Sequence, residues 1–192
     1  MQLFEDMIRT YGEVRDGDVL KVGSFFNQQV DIGLAVKIGE EFYRLFKDCG
    51  VTKVVTIEAS GIVMACTTAQ FFNVPMVFAK KSSALNSSGD VYAAPVRSYT
   101  RGNTYNVTLP REYLQAGERV LLVDDFLATG SALFGLLDIC RQAGAEVVGI
   151  GVGVEKAFQE GGGLLRDKGY RVEALARVGT MDPKTGYIEF VK

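Results

Sequence analysis

The stretch that most constrains this chain is Arg119-Val-Leu-Leu-Val-Asp124-Asp125-Phe-Leu-Ala-Thr129-Gly130-Ser131-Ala-Leu133. Val120 to Val123 is a short aliphatic, β-branched run of the kind that fills a buried strand, and it runs straight into two adjacent carboxylates. After Gly130 the period changes: Leu133, Leu136, Leu137 and Cys140 recur at helical spacing until Gly144 supplies a stop. Strand, acidic edge, small-residue loop and helix, in that order, predict one unit of an α/β fold with a central, mainly parallel sheet flanked by helices. The loop then lies at the carboxyl end of its strand, where such sheets bind ligands.

The first amides of a helix have no internal partner, and the helix dipole adds partial positive charge there. Successive N–H groups from Ala128 through Thr129, Gly130 and Ser131 to Ala132 can therefore surround a phosphate, and their small side chains let it approach. Charge-assisted bonds contribute roughly 1.5–3 kcal/mol each, so three or four amides can anchor a phosphate without an arginine. Asp124 and Asp125 would repel that phosphate, so they are expected to face neutral hydroxyls or a metal beside it; a ribose 5-phosphate offers both kinds of group. An Asp-Asp pair can also simply cap the next helix, but capping needs one acid and no cradle of small residues.

The chain has 192 residues, 47% hydrophobic and 23% charged, enough for one α/β domain spanning 1–192 with its own core. A net charge of -2 argues against a dominant nucleic-acid surface, no apolar run reaches membrane-spanning length, and Met1 to Met7 carries two acids where a signal peptide would be basic. A cytoplasmic protein is expected. Cys49, Cys66 and Cys140 are scattered and odd in number, which favours buried thiols over a disulfide or zinc site. The absence of histidine removes Ser-His-Asp and Cys-His catalysis. Chemistry must come from carboxylates, Lys, Arg, Tyr, backbone amides, or a metal brought in by the substrate.

Along the chain, Leu3, Phe4, Met7, Ile8 and Tyr11 predict an amphipathic N-terminal helix, and Asp31 is the expected cap of a helix running to about Asp48. Between them Leu20, Phe25, Phe26 and Asn27 offer apolar walls and an amide that suit a flat heterocycle. Lys53 to Glu58 reads as the first core strand, followed by Ala59-Ser60-Gly61-Ile62 and a helix through Phe72, a second candidate phosphate cradle. A strand from Pro75 to Lys80 is expected to deliver Lys80 and Lys81 to the ligand edge. The polar runs Ser82 to Gly89 and Ser98 to Tyr105 form a long excursion before strand-like Tyr105 to Leu109. Glu146 to Glu155 is a buried parallel strand ending at Lys156, which can donate to a carbonyl oxygen; its glycines lie inside the strand, so it is not a dinucleotide fingerprint. Gly161-Gly162-Gly163 is expected to break the next helix, and Tyr170 to Val178 and Tyr187 to Val191 read as closing strands around the turn Asp182 to Gly186.

The string Asp124-Asp125-Phe-Leu-Ala-Thr-Gly-Ser-Ala resembles the phosphoribosyl-pyrophosphate motif of type I phosphoribosyltransferases. Val19-Leu20-Lys21-Val-x-Ser24-Phe25-x-Asn27, Thr56-Ile-Glu-x-Ser60-Gly61-Ile62, Val154-Glu155-Lys156-x-Phe158 and Gly169-Tyr170-Arg171-Val172-Glu173 extend the likeness over nearly the whole chain, toward the xanthine phosphoribosyltransferases. That resemblance implies a core over about 32–160 with a small hood from about 1–31 and 161–192, and a flexible cover drawn from the long excursion. It assigns xanthine to Leu20, Asn27 and Lys156, the 5-phosphate to Ala128, Thr129, Gly130, Ser131 and Ala132, and the pyrophosphate to Ser60, Gly61 and Lys81. Asp124 and Asp125 become the catalytic acids on the ribose hydroxyls. Mg2+ is expected to arrive on phosphoribosyl pyrophosphate (PRPP), with no protein side chain as its ligand. The family often has Asn and Gln where this chain has Thr129 and Ser131, a departure that backbone binding tolerates. The apolar face of the first helix and the family likeness suggest a homodimer. Two alternatives stay open: a PRPP-sensing transcription regulator of the same fold, and an enzyme for another base such as guanine, hypoxanthine or adenine.

Overall fold

Helical and strand periods alternate along the chain, and each apolar stripe finds its cover in one sheet sandwiched between helices. The computed structural model describes residues 1–82, 90–97 and 104–192. The polar runs within 83–89 and 98–103 lie outside the described residues. In chain order the elements are α1 (Gln2–Tyr11), β1 (Glu13–Arg15), β2 (Val19–Lys21), a π-helical turn (Gly23–Asn27), α2 (Ile32–Phe46), β3 (Lys53–Ile57), α3 (Gly61–Phe72) and β4 (Met76–Ser82). There follow β5 (Val91–Arg97), β6 (Thr104–Pro110), β7 (Arg119–Leu127), α4 (Ser131–Ala143), β8 (Glu146–Lys156), α5 (Gly161–Asp167), β9 (Val172–Met181) and β10 (Ile188–Phe190).

Among the described residues, eight strands form one sheet in the order β10-β9-β8-β7-β3-β4-β6-β5. The run from β9 to β4 is parallel; β6, β5 and β10 pair antiparallel at the two sides. Strand alternation splits the core in two. Val54, Leu121 and Val123 face α1, α2 and α3, whereas Val55, Val120 and Leu122 face α4. The carboxyl ends of β3, β4, β7 and β8 share one edge, and that edge gathers Ser60, Lys81, the two acids and Lys156.

The sequence reading holds for this frame and is corrected at single elements. α2 ends at Phe46 and a 3-10 turn carries on over Lys47–Cys49, in keeping with the expected end near Asp48, and Asp31 caps the helix by accepting from the Leu34 amide at 3.0 Å. On the apolar face of α1, Phe4 and Ile8 are buried in the chain's own core while Leu3 and Tyr11 stay exposed, and the Met1 amino group donates to the Leu175 carbonyl. Much of the expected excursion is a hairpin, because β5 pairs with β6 from Val91↔Pro110 to Arg97↔Thr104. Lys80 and Lys81 sit inside β4, and alternation sends their side chains to opposite faces. Gly161 to Gly163 begin α5 where a break was expected, and Cys66 is exposed on α3 where a buried thiol was expected. The glycines of β8 have a packing cause. A Cβ on Gly149, Gly151 or Gly153 would come within 2.4, 2.8 or 2.7 Å of the rings of Phe46, Phe42 and Phe26 respectively.

Candidate active site

β7 runs past the point where the sequence pattern placed its end. Its pairing with β3 stops at Val55↔Leu122, yet it stays paired with β8 through Asp124↔Val152, Phe126↔Val154 and Leu127↔Glu155. With a neighbour on one side only, the last residues of β7 line an open edge. Asp124 is 4% exposed, and its Oδ1 accepts the Asp125 amide at 3.0 Å. Asp125 Oδ1 accepts the Phe126 amide at 3.0 Å, and its Oδ2 accepts from Asn27 Nδ2 at 3.5 Å. Burial, and after it the charge of Asp125, push the Asp124 carboxyl well above the usual carboxylate range; the charge of Lys81 opposes the rise without reversing it.

The loop beyond turns on Gly130, whose φ of 81° is the left-handed conformation that glycine adopts without strain. The Phe134 amide donates to the Gly130 carbonyl at 2.9 Å, so α4 is engaged from its first turn, and the hydroxyls of Thr129 and Ser131 pair with each other at 3.0 Å. Residues 128–132 wall a cavity of about 240 Å³ together with Asp124, Phe126, Lys81, Arg97 and Tyr105. One of the two predicted acids, the whole predicted phosphate loop and Lys81 thus meet around one space. Lys80 points elsewhere, its ammonium 5.9 Å from the Phe78 ring centroid.

Ser60 and Gly61 do not line that cavity, but Gly61 stands directly behind Asp124. A Cβ on Gly61 would lie 2.2 Å from Thr56 Oγ1 and 3.1 Å from Asp124 Oδ1, so only glycine fits between the strand hydroxyl and the acid. The Thr56 hydroxyl is fully buried and has no hydrogen-bond partner among the described residues. The Glu58–Ala59 peptide at this turn is cis, and Glu58 Oε1 accepts the Lys81 amide at 2.6 Å, joining the ends of β3 and β4.

Leu20 and Asn27 line a separate groove of about 630 Å³ with Tyr11, Lys21 and Ser24. Asn27 reaches the acid edge through its contact with Asp125. Lys156 lines neither: its ammonium donates to the Asp18 carbonyl in the β1–β2 turn at 2.6 Å and lies 5.9 Å from the Phe126 ring centroid. Burial lowers the Lys156 pKa, opposed by the charge of Asp18. Sequence reasoning gave no role to Phe126, Arg97 or Tyr105. Phe126 carried the one available signal, an aromatic directly after the acid pair; the other two reach the cavity only because β5 and β6 pair.

Among the described residues no three acids or cysteines converge as a metal site. Asp124 and Asp125 offer the hard carboxylate oxygens that a magnesium ion takes as ligands.

The chain matches the phosphoribosyl transferase domain model over residues 32–171. It is 50% identical over 190 residues to a xanthine phosphoribosyltransferase of Lachnoclostridium phytofermentans, covering 99% of this chain and 98% of that protein. It is likewise 50% identical to the xanthine phosphoribosyltransferase of Bifidobacterium longum subsp. infantis, covering 99% of each. The crystal structure of an adenine phosphoribosyltransferase from Thermoanaerobacter pseudethanolicus superposes with a TM-score of 0.72 at 20% identity, over 92% of this chain and 98% of that one, a likeness of fold. With half its residues shared along almost its full length, and the acid pair and small-residue loop meeting at one cavity, this chain belongs to the xanthine phosphoribosyltransferase family of phosphoribosyltransferases.

Proposed function

We propose that this enzyme transfers the 5-phosphoribosyl group of PRPP to xanthine, giving xanthosine 5'-monophosphate and pyrophosphate, as a step of purine salvage. The observation that carries the reading is the cavity in which Asp124, the amide-rich loop 128–132 and Lys81 meet. In it and along its rim the loop amides hold the 5-phosphate, Asp124 and the neighbouring Asp125 accept the ribose hydroxyls, and Lys81 with the nearby turn at Ser60 and Gly61 serves the pyrophosphate. Leu20 walls the purine, while Asn27 and Lys156 meet its oxygens.

The C1–pyrophosphate bond breaks as positive charge develops on the sugar, and a purine nitrogen attacks from the opposite face. Nothing covalent is asked of the protein. The two acids favour cationic character at the ribose, and holding both reactants in line contributes roughly 7–11 kcal/mol. Magnesium, when bound with PRPP, supplies charge to the departing pyrophosphate. Base choice follows from donors: the Lys156 ammonium suits a purine carbonyl and disfavours the amino group of adenine.

The hood of about 1–31 and 161–192 over a core of 32–160 belongs to the same reading; the bonds Lys156–Asp18 and Asn27–Asp125 support it by tying the N-terminal segment to the acid edge. A homodimer is supported by the exposure of Ile32, Val36 and Tyr43 on α2, and a cytoplasmic setting remains the expectation from composition. The test is a spectrophotometric assay with PRPP, magnesium and xanthine, guanine, hypoxanthine or adenine in turn. Xanthine is expected to be the preferred acceptor; faster turnover of adenine would overturn the base assignment, and PRPP binding without turnover of any base would point to a sensor.

A further inference from the structure

We propose that Glu155 and Arg166 are positioning residues: their ion pair, buried on the Glu155 side, seats the first turn of α5 against the back of the 128–130 loop and so aims the loop amides into the cavity. The inference rests on the reading of that loop as the phosphate cradle. It concerns residues on the far side of the loop from the ligand.

Glu155 pairs with Leu127 across the β7–β8 ladder, one residue before the loop begins. Its carboxylate is 2% exposed and both oxygens are taken. Arg166 Nη1 and Nη2 donate to Oε1 and Oε2 at 2.6 and 2.7 Å, a bidentate fork, and Arg177 Nε adds a bond to Oε2 at 3.0 Å. Burial alone would raise the carboxyl pKa, and the two guanidinium groups outweigh it, leaving the group below its ordinary value.

Two consecutive glycines then face opposite ways. Gly162 lies on the ion pair: a Cβ there would be 2.0 Å from Glu155 Oε1 and 2.7 Å from Arg166 Nη1. Gly161 lies on the loop: a Cβ there would be 2.4 Å from the Ala128 oxygen and 2.6 Å from the Gly130 nitrogen, and its own amide donates to the Ala128 carbonyl at 3.1 Å. In a trans peptide the C=O and the next N–H point in opposite directions. Holding the Ala128 carbonyl toward α5 therefore turns the Thr129 N–H away from α5, to the side of the cavity that Thr129 lines.

The anchor is needed because α5 has seven residues and opens with three glycines, a sequence with no helical stability of its own. Buried Leu165 and the Arg166 fork are what hold it in place. Backbone amides provide the phosphate grip, so a small shift of the loop acts on the donor substrate first, and misplacement by an ångström costs large factors in such sites.

The experiment is steady-state kinetics of Arg166→Met, Arg166→Lys and Gly161→Ala, with both substrates varied and the donor affinity measured by calorimetry. Arg166→Met and Gly161→Ala are expected to raise the KM and Kd for PRPP about tenfold or more while changing the KM for xanthine less than about twofold. Arg166→Lys, which keeps the charge without the fork, should recover part of the loss. A merely structural pair would lower thermal stability with both KM values unchanged, or moved together, and either result overturns the inference. Should Arg166→Met fail to fold, Gly161→Ala leaves the ion pair whole and carries the same expectation. Wild-type protein that neither binds PRPP nor makes nucleotide would instead overturn the proposed reaction, and with it the premise used here.

Discussion

Asp124 is held in two conditions at once: buried behind Gly61 and beside a second carboxylate, its carboxyl pKa is raised, while its proposed partners are hydroxyls that favour the ionised form. Between the ordinary carboxylate value and the raised native one, the folded protein binds more protons than the unfolded chain, so this group's contribution to stability falls as pH climbs through that window. Asp124→Asn removes the slope. The ligand-free variant is expected to have a higher thermal midpoint at neutral pH than the parent, together with a large loss of turnover; a lower midpoint would show that the acid is not strained where it sits. At Lys156 the expected outcome is different. Lys156→Gln removes a charge-assisted bond, weakening use of 6-oxo purines by roughly 1.5–3 kcal/mol while PRPP affinity holds, and unchanged base kinetics would count against its role.

At the scale of elements, α4 carries the loop, and its packing can be tested apart from chemistry. Leu136 is fully buried on the helix face that meets the sheet, and Leu136→Ala is expected to lower unfolding free energy by about 2–5 kcal/mol, read from the urea midpoint. This unit was the most legible part of the sequence because one buried strand and one amphipathic helix each write their own period, and the acids between them fit neither. β5 was not legible, since Pro95 in mid-run argues against a strand; the structure reconciles it by putting β5 at the sheet edge with Pro95 exposed. The short β1–β2 hairpin and the Gly161–Gly162 wedge were hidden for another reason. The hairpin has a local mark in the Asp16-Gly17 turn, where Gly17 and Asp18 take positive φ, but its placement depends on Lys156, and the wedge depends on Ala128 and Glu155, distant neighbours that no local pattern records.

The whole molecule is two cores divided by one sheet, and thiol chemistry reports on that arrangement. Cys140 lies on the buried face of α4 and its pKa is pushed up to about 12, first by burial, whereas Cys66 is exposed on α3. Folded protein is expected to react with a thiol reagent at Cys66 first and to leave Cys140 unmodified until denaturant is added, as peptide mass mapping would reveal. The stack of Phe46, Phe42 and Phe26 on Gly149, Gly151 and Gly153 crosses the same architecture from α2 to the N-terminal segment and ends beside Asp125, whose carbonyl would lie 2.9 Å from a Cβ on Gly153. Gly151→Ala should destabilise by about 1–3 kcal/mol and Phe42→Leu, made with it, should recover part of that. Each missing methyl is thus one half of a two-letter word whose other letter is an aromatic over a hundred positions earlier. Such words can be rewritten only jointly, so drift at either end stalls until its distant counterpart yields.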